Sequence, residues 1–138
     1  MNDGGTRLHY LRLLLLDPVF AVCRLDATAP QPSWLAPCEF FSVTRARDEL
    51  SIVCPQDVVP PDVKCERGWR CLRVAGTLEF GMVGVLASLT APLAEAGISV
   101  FAISTFDTDY LLIKDEFLDK AMASFREAGH AIGVQPPG

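Results

Sequence analysis

Hydrophobic residues recur along this chain with two periods, and the two periods separate its predicted strands from its predicted helices. Leu8 to Leu16 is a nearly continuous apolar run, which suits a strand buried on both faces. Asp17-Pro18 reads as a turn into a second strand, Val19 to Leu25. Glu39 to Arg45 and Leu50 to Val53 form a predicted hairpin around the polar turn Ala46 to Glu49. Prolines limit Ala29 to Pro37 and Cys54 to Pro61 to a helical turn or two. Asp62 to Gly68 reads as a charged link and Trp69 to Ala75 as a strand.

The period then changes. From Met82 the apolar positions Met82, Val85, Leu86, Leu89 and Leu93 mark one face of a helix, which Gly97 stops. Pro92 lies inside it and removes the donor to the residue four back, so a kink is expected near Ser88. Ile98 to Phe106 and Asp109 to Lys114 are strands joined by a turn at Asp107-Thr108. Asp115 is a candidate N-cap for the helix Glu116 to Ala128, with Phe117, Leu118, Ala121, Met122 and Phe125 on one face. Gly129 ends it, and His130 to Val134 is a closing strand. Residues 1–7 and 135–138 are polar or glycine- and proline-containing ends, expected to be frayed.

A repeat of about sixty residues runs beneath this order. Phe41, Val43, Thr44, Leu50, Ile52 and Val53 precede Phe101, Ile103, Ser104, Tyr110, Leu112 and Ile113 by that spacing. The economical reading is two copies of a strand–helix–strand–strand–helix–strand unit, the first having lost most of its first helix.

Composition narrows the function classes. A net charge of −5 over 138 residues, with the cations scattered, argues against nucleic-acid binding. Arg12 and Asp17 interrupt the early leucine run, so no signal peptide and no membrane span is expected. Five cysteines without a C-x-x-C pair suit reduced thiols in a cytoplasmic protein. His9 and His130 stand without ligating neighbours in sequence, so no metal and no cofactor is assigned. No nucleophile–base or phosphate-loop motif is present, which favours a binding protein over an enzyme. Half the residues are hydrophobic, enough to bury apolar surface between subunits.

The run EFGMVGVLASLTAPLAEAGISVFAISTFDTDYLLIK resembles ACT domains, the ferredoxin-like modules that sense amino acids, and most of all the tandem type found in cytosolic arginine sensors and aspartate kinase regulatory regions. The resemblance is strong over Leu72 to Val134. It is weaker over Leu11 to Pro61, where the first helix and the glycine loop have no counterpart. It implies an α+β fold of two ferredoxin-like (βαββαβ, ACT-type) halves, a degenerate one over 8–68 and an ACT domain over 69–134. The halves would join edge to edge into one antiparallel sheet with helices mainly on one face. It also implies an amino acid or similar small metabolite as ligand, a homodimer or higher homo-oligomer, and a protein partner. No catalytic activity is implied.

Such a ligand offers a carboxylate, an ammonium and a side chain. Backbone amides over Gly81, Met82, Val83 and Gly84 are candidates for the carboxylate, because unpaired N–H groups and the helix dipole favour an anion there, and Glu79 and Phe80 just before them are further ligand-binding candidates. Asp107, Asp109 and Glu79 are candidates for the ammonium. Thr105, Phe106 and Asp109 match positions that lie at the ligand in the resembling sensors. Ser104 and Thr105 offer hydroxyls, and Ser42, Val43 and Thr44 are candidates to close the pocket from the first half. Read without the resemblance, the glycine pair is more often a turn, and Asp107 and Asp109 are common hairpin residues. An assembly module with a closed pocket is the alternative reading.

Overall fold

The computed structural model describes residues 9–78 and 82–136. The expectations placed on 1–8, on Glu79, Phe80 and Gly81, and on the last two residues lie outside these.

Among the described residues, seven strands form one sheet. β1 (Arg12–Leu25) and β4 (Lys64–Val74) are its long central pair and run antiparallel. On the far side of β1 lie β3 (Leu50–Pro55) and then β2 (Ser42–Arg45). On the far side of β4 lie β6 (Asp109–Lys114) and then β5 (Phe101–Ser104), all of these neighbours being antiparallel. β7 (Ala131–Val134) pairs in parallel with Arg12 to Leu15 of β1. Two helices, α1 (Val85–Glu95) and α2 (Leu118–Glu127), complete the fold, with single 3-10 turns at Ser33–Leu35, Gln56–Val58 and Asp115–Phe117.

The period-2 alternation assigns the two faces. Leu111 and Ile113 of β6 join Leu72 and Val74 of β4 and Leu13 of β1 beneath the helices, where Leu89, Leu93, Leu118, Ala121 and Phe125 cover them. Their neighbours Leu112, Tyr110 and Cys71 point the other way, into a cluster with Leu16, Phe20, Phe40 and Phe101. A third cluster, Ala21, Cys23, Leu50, Ile52 and Cys54, is covered by Leu35 and Val59 near the first two 3-10 turns. Fully burying each Leu or Phe stabilises by roughly 1.5–3 kcal/mol, so β1, β3, β4 and β6 are each anchored on at least one side.

Several predicted boundaries move. Asp17-Pro18 does not turn the chain: β1 continues through it as one strand. Between the pairs Leu15↔Leu72 and Val19↔Arg70, β1 advances four residues while β4 advances two. The extra residues form a bulge in which proline's missing N–H costs no ladder bond. The charged link is the start of β4, whose Lys64, Glu66 and Arg67 are exposed. Alpha-helix α1 begins at Val85 rather than Met82, and β5 at Phe101 rather than Ile98. Asp115 does not cap α2; its carboxylate instead meets Arg70 at 3.4 Å.

Both helices end as expected. Gly97 and Gly129 take φ of +74° and +98°, and the next residue donates back into the last turn, Ile98 to the Leu93 carbonyl and His130 to the Phe125 carbonyl. This left-handed closure suits glycine. Pro92 is carried within α1, and His130 donates to the carbonyl it leaves open, at Ser88.

Candidate functional site

The candidate residues cluster at the C-terminal end of β4, where the chain leaves the sheet for α1. Thr108 is 3% exposed, and its hydroxyl donates to the Val74 carbonyl at 2.8 Å. The Leu78 N–H donates to the Asp107 carbonyl at 2.6 Å. The segment leading to α1 is therefore tied to the β5–β6 turn. Thr105 closes that turn from its backbone N–H and its hydroxyl, both donating to the Thr108 carbonyl. Ser104 and Asp109 are opposed across the hairpin, with the Ser104 hydroxyl donating to the Asp109 carboxylate at 2.5 Å. Phe106 projects from the same turn, 77% exposed.

The head of α1 is chemically open. Its first position follows Gly84 at φ +84°, no side chain caps the helix, and no acidic residue stands in the first turn. A helix usually satisfies its leading amides with a Ser, Thr, Asp or Asn at this point. Ser88 donates its N–H to the Gly84 carbonyl at 2.9 Å, and its hydroxyl reaches the same oxygen. The Val83 carbonyl takes the His9 ring at 2.7 Å, so the entry to the helix is held from its carbonyl side.

Ser42 and Thr44 lie elsewhere, at the opposite end of the strand order, yet the sheet curls far enough to bring its two outer strands together. Ser42, Thr44, Ser51 and Val53 face Phe101, Ile103 and Ser104 across a cavity of about 300 Å³. Ser42, Thr44 and Ser104 thus share one cavity. Val43, between the first two, turns to the other face and packs beside Ile52 and Leu50.

A larger depression, about 810 Å³, separates α1 from α2 and contains none of the candidates except through their neighbours. Ser88, Pro92, Glu95, Ser124, Glu127 and His130 line it. The two ring nitrogens of His130 are already engaged, one by the Leu11 N–H at 3.0 Å and one at the Ser88 carbonyl. His130 was legible only as a lone histidine; the signal that places it is Pro92, whose helix needs a donor from outside. Among the described residues no group of His, Cys, Asp and Glu is arranged to hold a metal ion.

Comparison with known proteins resolves the fold family. Residues 64–127 match the ACT domain family, and residues 19–62 match a second family described as an N-terminal domain. The X-ray structure of protein Atu0741 from Agrobacterium tumefaciens superposes with a TM-score of 0.87 at 36% identity, over 94% of this chain and 96% of that one. Residues 64–127 are thus similar to the ACT domain family. The human protein named cytosolic arginine sensor for mTORC1 subunit 1 is 32% identical over 98 residues, covering 65% of this chain and 29% of its own. The chain thus spans under a third of that relative's length. The regulatory subunit of aspartate kinase from Thermus thermophilus shares the fold, with a TM-score of 0.56 at 13% identity over 84% of this chain and 95% of that one.

Proposed function

We propose that this protein is a regulatory module without catalytic activity that binds an amino acid, or a similar small metabolite, at the head of α1. The observation that carries the reading is the uncapped start of that helix at Gly84, tied through Leu78 and Asp107 to the β5–β6 turn. In this reading the amides from Gly81 to Gly84 and into the first turn of α1 take the carboxylate. Asp107 and Asp109 take the ammonium, and Thr105 and Phe106 border the ligand's side chain. Ser42 and Thr44, facing Ser104 across the gap between the outer strands, shape a second wall. Occupancy then acts on a protein partner or on the homo-oligomer, in the cytoplasm.

The reading includes a division into a degenerate half over 8–68 and an ACT domain over 69–134. Its support is the chain order: strand, 3-10 turn, strand, strand, 3-10 turn, strand from β1 to β4, then strand, helix, strand, strand, helix, strand from β4 to β7. The turns stand where the helices stand in the second series. β4 belongs to both.

The test is a thermal-shift panel of the twenty amino acids at millimolar concentration. Arginine and aspartate come first, because one relative is named an arginine sensor and an aspartokinase of the same fold is described in complex with aspartate. A ligand at a hundred times its dissociation constant adds about 2.7 kcal/mol of stability. A shift with one or a few amino acids is expected, and none with any of them overturns the reading.

A second reading, an assembly module without ligand, rests on a different observation. β2 and β5 are each paired on one side only, and Met82, Val83, Leu86 and Phe106 are exposed. Light scattering that shows a constant oligomer, together with an unresponsive melting temperature, would favour it.

A further inference from the structure

The cysteines, scattered through the sequence, converge in the fold. Cys23 on β1 and Cys65 on β4 are directly opposed partners in the antiparallel ladder. Opposed residues in such a ladder have Cα atoms about 4.5–5.5 Å apart, inside the roughly 4.4–6.8 Å span that a disulfide bridges. Cys54 lies on the other side of β1 but opposite Ala21, two residues along from Cys23. That diagonal is about 7–8 Å, beyond the reach of a bond without backbone movement. Cys54 nevertheless packs in the same cluster, with Cys23 and Cys54 buried and Cys65 half-buried beside them. The five cysteines are reduced, and the ligand site uses none of them.

We infer that Cys23 and Cys65 form a reversible intrachain disulfide by exchange with a low-molecular-weight disulfide. Cys65, the more accessible of the pair, meets the reagent first. Its sulfur attacks the external disulfide, one half of which departs as a thiolate, and a mixed disulfide forms on Cys65. The Cys23 thiolate then attacks the Cys65 sulfur, the mixed bond breaks and the second half leaves as thiolate. Two protein thiols and one external disulfide become one protein disulfide and two external thiols, the two protons passing through solvent to the leaving thiolates.

The surroundings suit Cys23 to the second step. Hydrogen bonding from Cys54 holds its thiol below the usual range against the opposing effect of burial, with a further hydrogen bond from Cys65 and attraction from Arg67. The Arg67 guanidinium is itself fixed by the carbonyls of Gln56 and Val59. Cys54 is shifted the other way and stays protonated as the donor. The product bond would tie the end of β1 to the start of β4 and enclose β2 and β3, constraining the unfolded chain.

The experiment treats the intact native protein with oxidised glutathione, then counts free thiols and maps peptides without reduction. The expected result is a fall from five thiols to three, a Cys23–Cys65 peptide, reversal by dithiothreitol and a higher melting temperature in the oxidised form. Cys65→Ser should keep its four thiols, and Cys23→Ser should stop at a glutathione adduct on Cys65. Cys54→Ser should still form the bond, more slowly. An unchanged thiol count, a stable adduct on wild-type Cys65, or a bond mapped to another pair overturns the inference. Should Cys23→Ser fail to fold, Cys65→Ser and the wild-type peptide map decide alone.

Discussion

The ring of His130 lies 3.0 Å from the carbonyl oxygen of Ser88, the acceptor that Pro92, four residues further on, has no N–H to fill. The opposite ring nitrogen accepts from the Leu11 N–H, which can only donate. The tautomer is therefore fixed, with the hydrogen on Nε2 and the lone pair on Nδ1. A buried side chain from the approach to β7 thus repairs a helix across the core and holds the start of β1 in the same grip.

His130→Ala should cost about 1–3 kcal/mol, because it leaves two half-buried backbone groups without partners. Pro92→Ala supplies an N–H at position 92 and should recover part of that loss, giving a coupling of about 1 kcal/mol between the two changes. Urea denaturation of both single variants and the double variant measures it. Strict additivity would show that the ring and the proline do not share an acceptor.

Gly84 holds φ at +84° immediately before α1. A β-branched side chain is strained there by about 1–2 kcal/mol. Gly84→Val should therefore lower stability by that order and weaken amino-acid binding by more than tenfold. Denaturation and calorimetry on one preparation separate the two effects.

Asp109 faces Ser104 across the hairpin, and their hydrogen bond is exposed. Asp109→Asn keeps the shape and removes the charge. Its stability should change by less than about 1 kcal/mol, as for exposed charged pairs, while ligand affinity falls about tenfold or more. A stability loss with binding intact would make Asp109 a hairpin residue alone.

Burial pushes the Cys71 thiol up to about 12 from its ordinary value of 9.0. The folded protein thus disfavours the thiolate that the unfolded chain readily forms. The stabilising contribution is complete below about pH 9 and drains away as pH rises from about 9 to about 12, with a slope of up to about 1.4 kcal/mol per pH unit. Urea midpoints at pH 8 and pH 10 should differ more for wild type than for Cys71→Ala. Equal differences would mean that other groups, such as Cys54, carry the alkaline loss.

Much of this architecture was legible in the sequence because local signals and packing agreed. β6 was read to the residue, Asp109 to Lys114, since its apolar run is bounded by a turn and a charge. Gly97 and Gly129 ended their helices for the stated conformational reason. Asp17-Pro18 misled because a bulge and a turn share residue types, and only the pairing register with β4 distinguishes them. Lys64 to Gly68 misled because the exposed start of a strand has no apolar alternation to show. In the candidate site, the partnership of Ser104 with Asp109 follows from hairpin register and was within reach. The approach of β2 to β5 was anticipated through Ser42 and Thr44, whereas Val43 turns to the opposite face by strand alternation. The grip of His130 on Ser88 joins residues 42 apart and depends on a carbonyl, which no side-chain pattern records.

The most direct measurement is an amide NMR titration of the isotopically labelled protein with the amino acid that gives the largest thermal shift. The account predicts saturable shifts concentrated at Gly81 to Leu86 and at Thr105 to Asp109, abolished by Gly84→Val. Saturable shifts confined to the groove between α1 and α2, or none up to millimolar ligand, would contradict it.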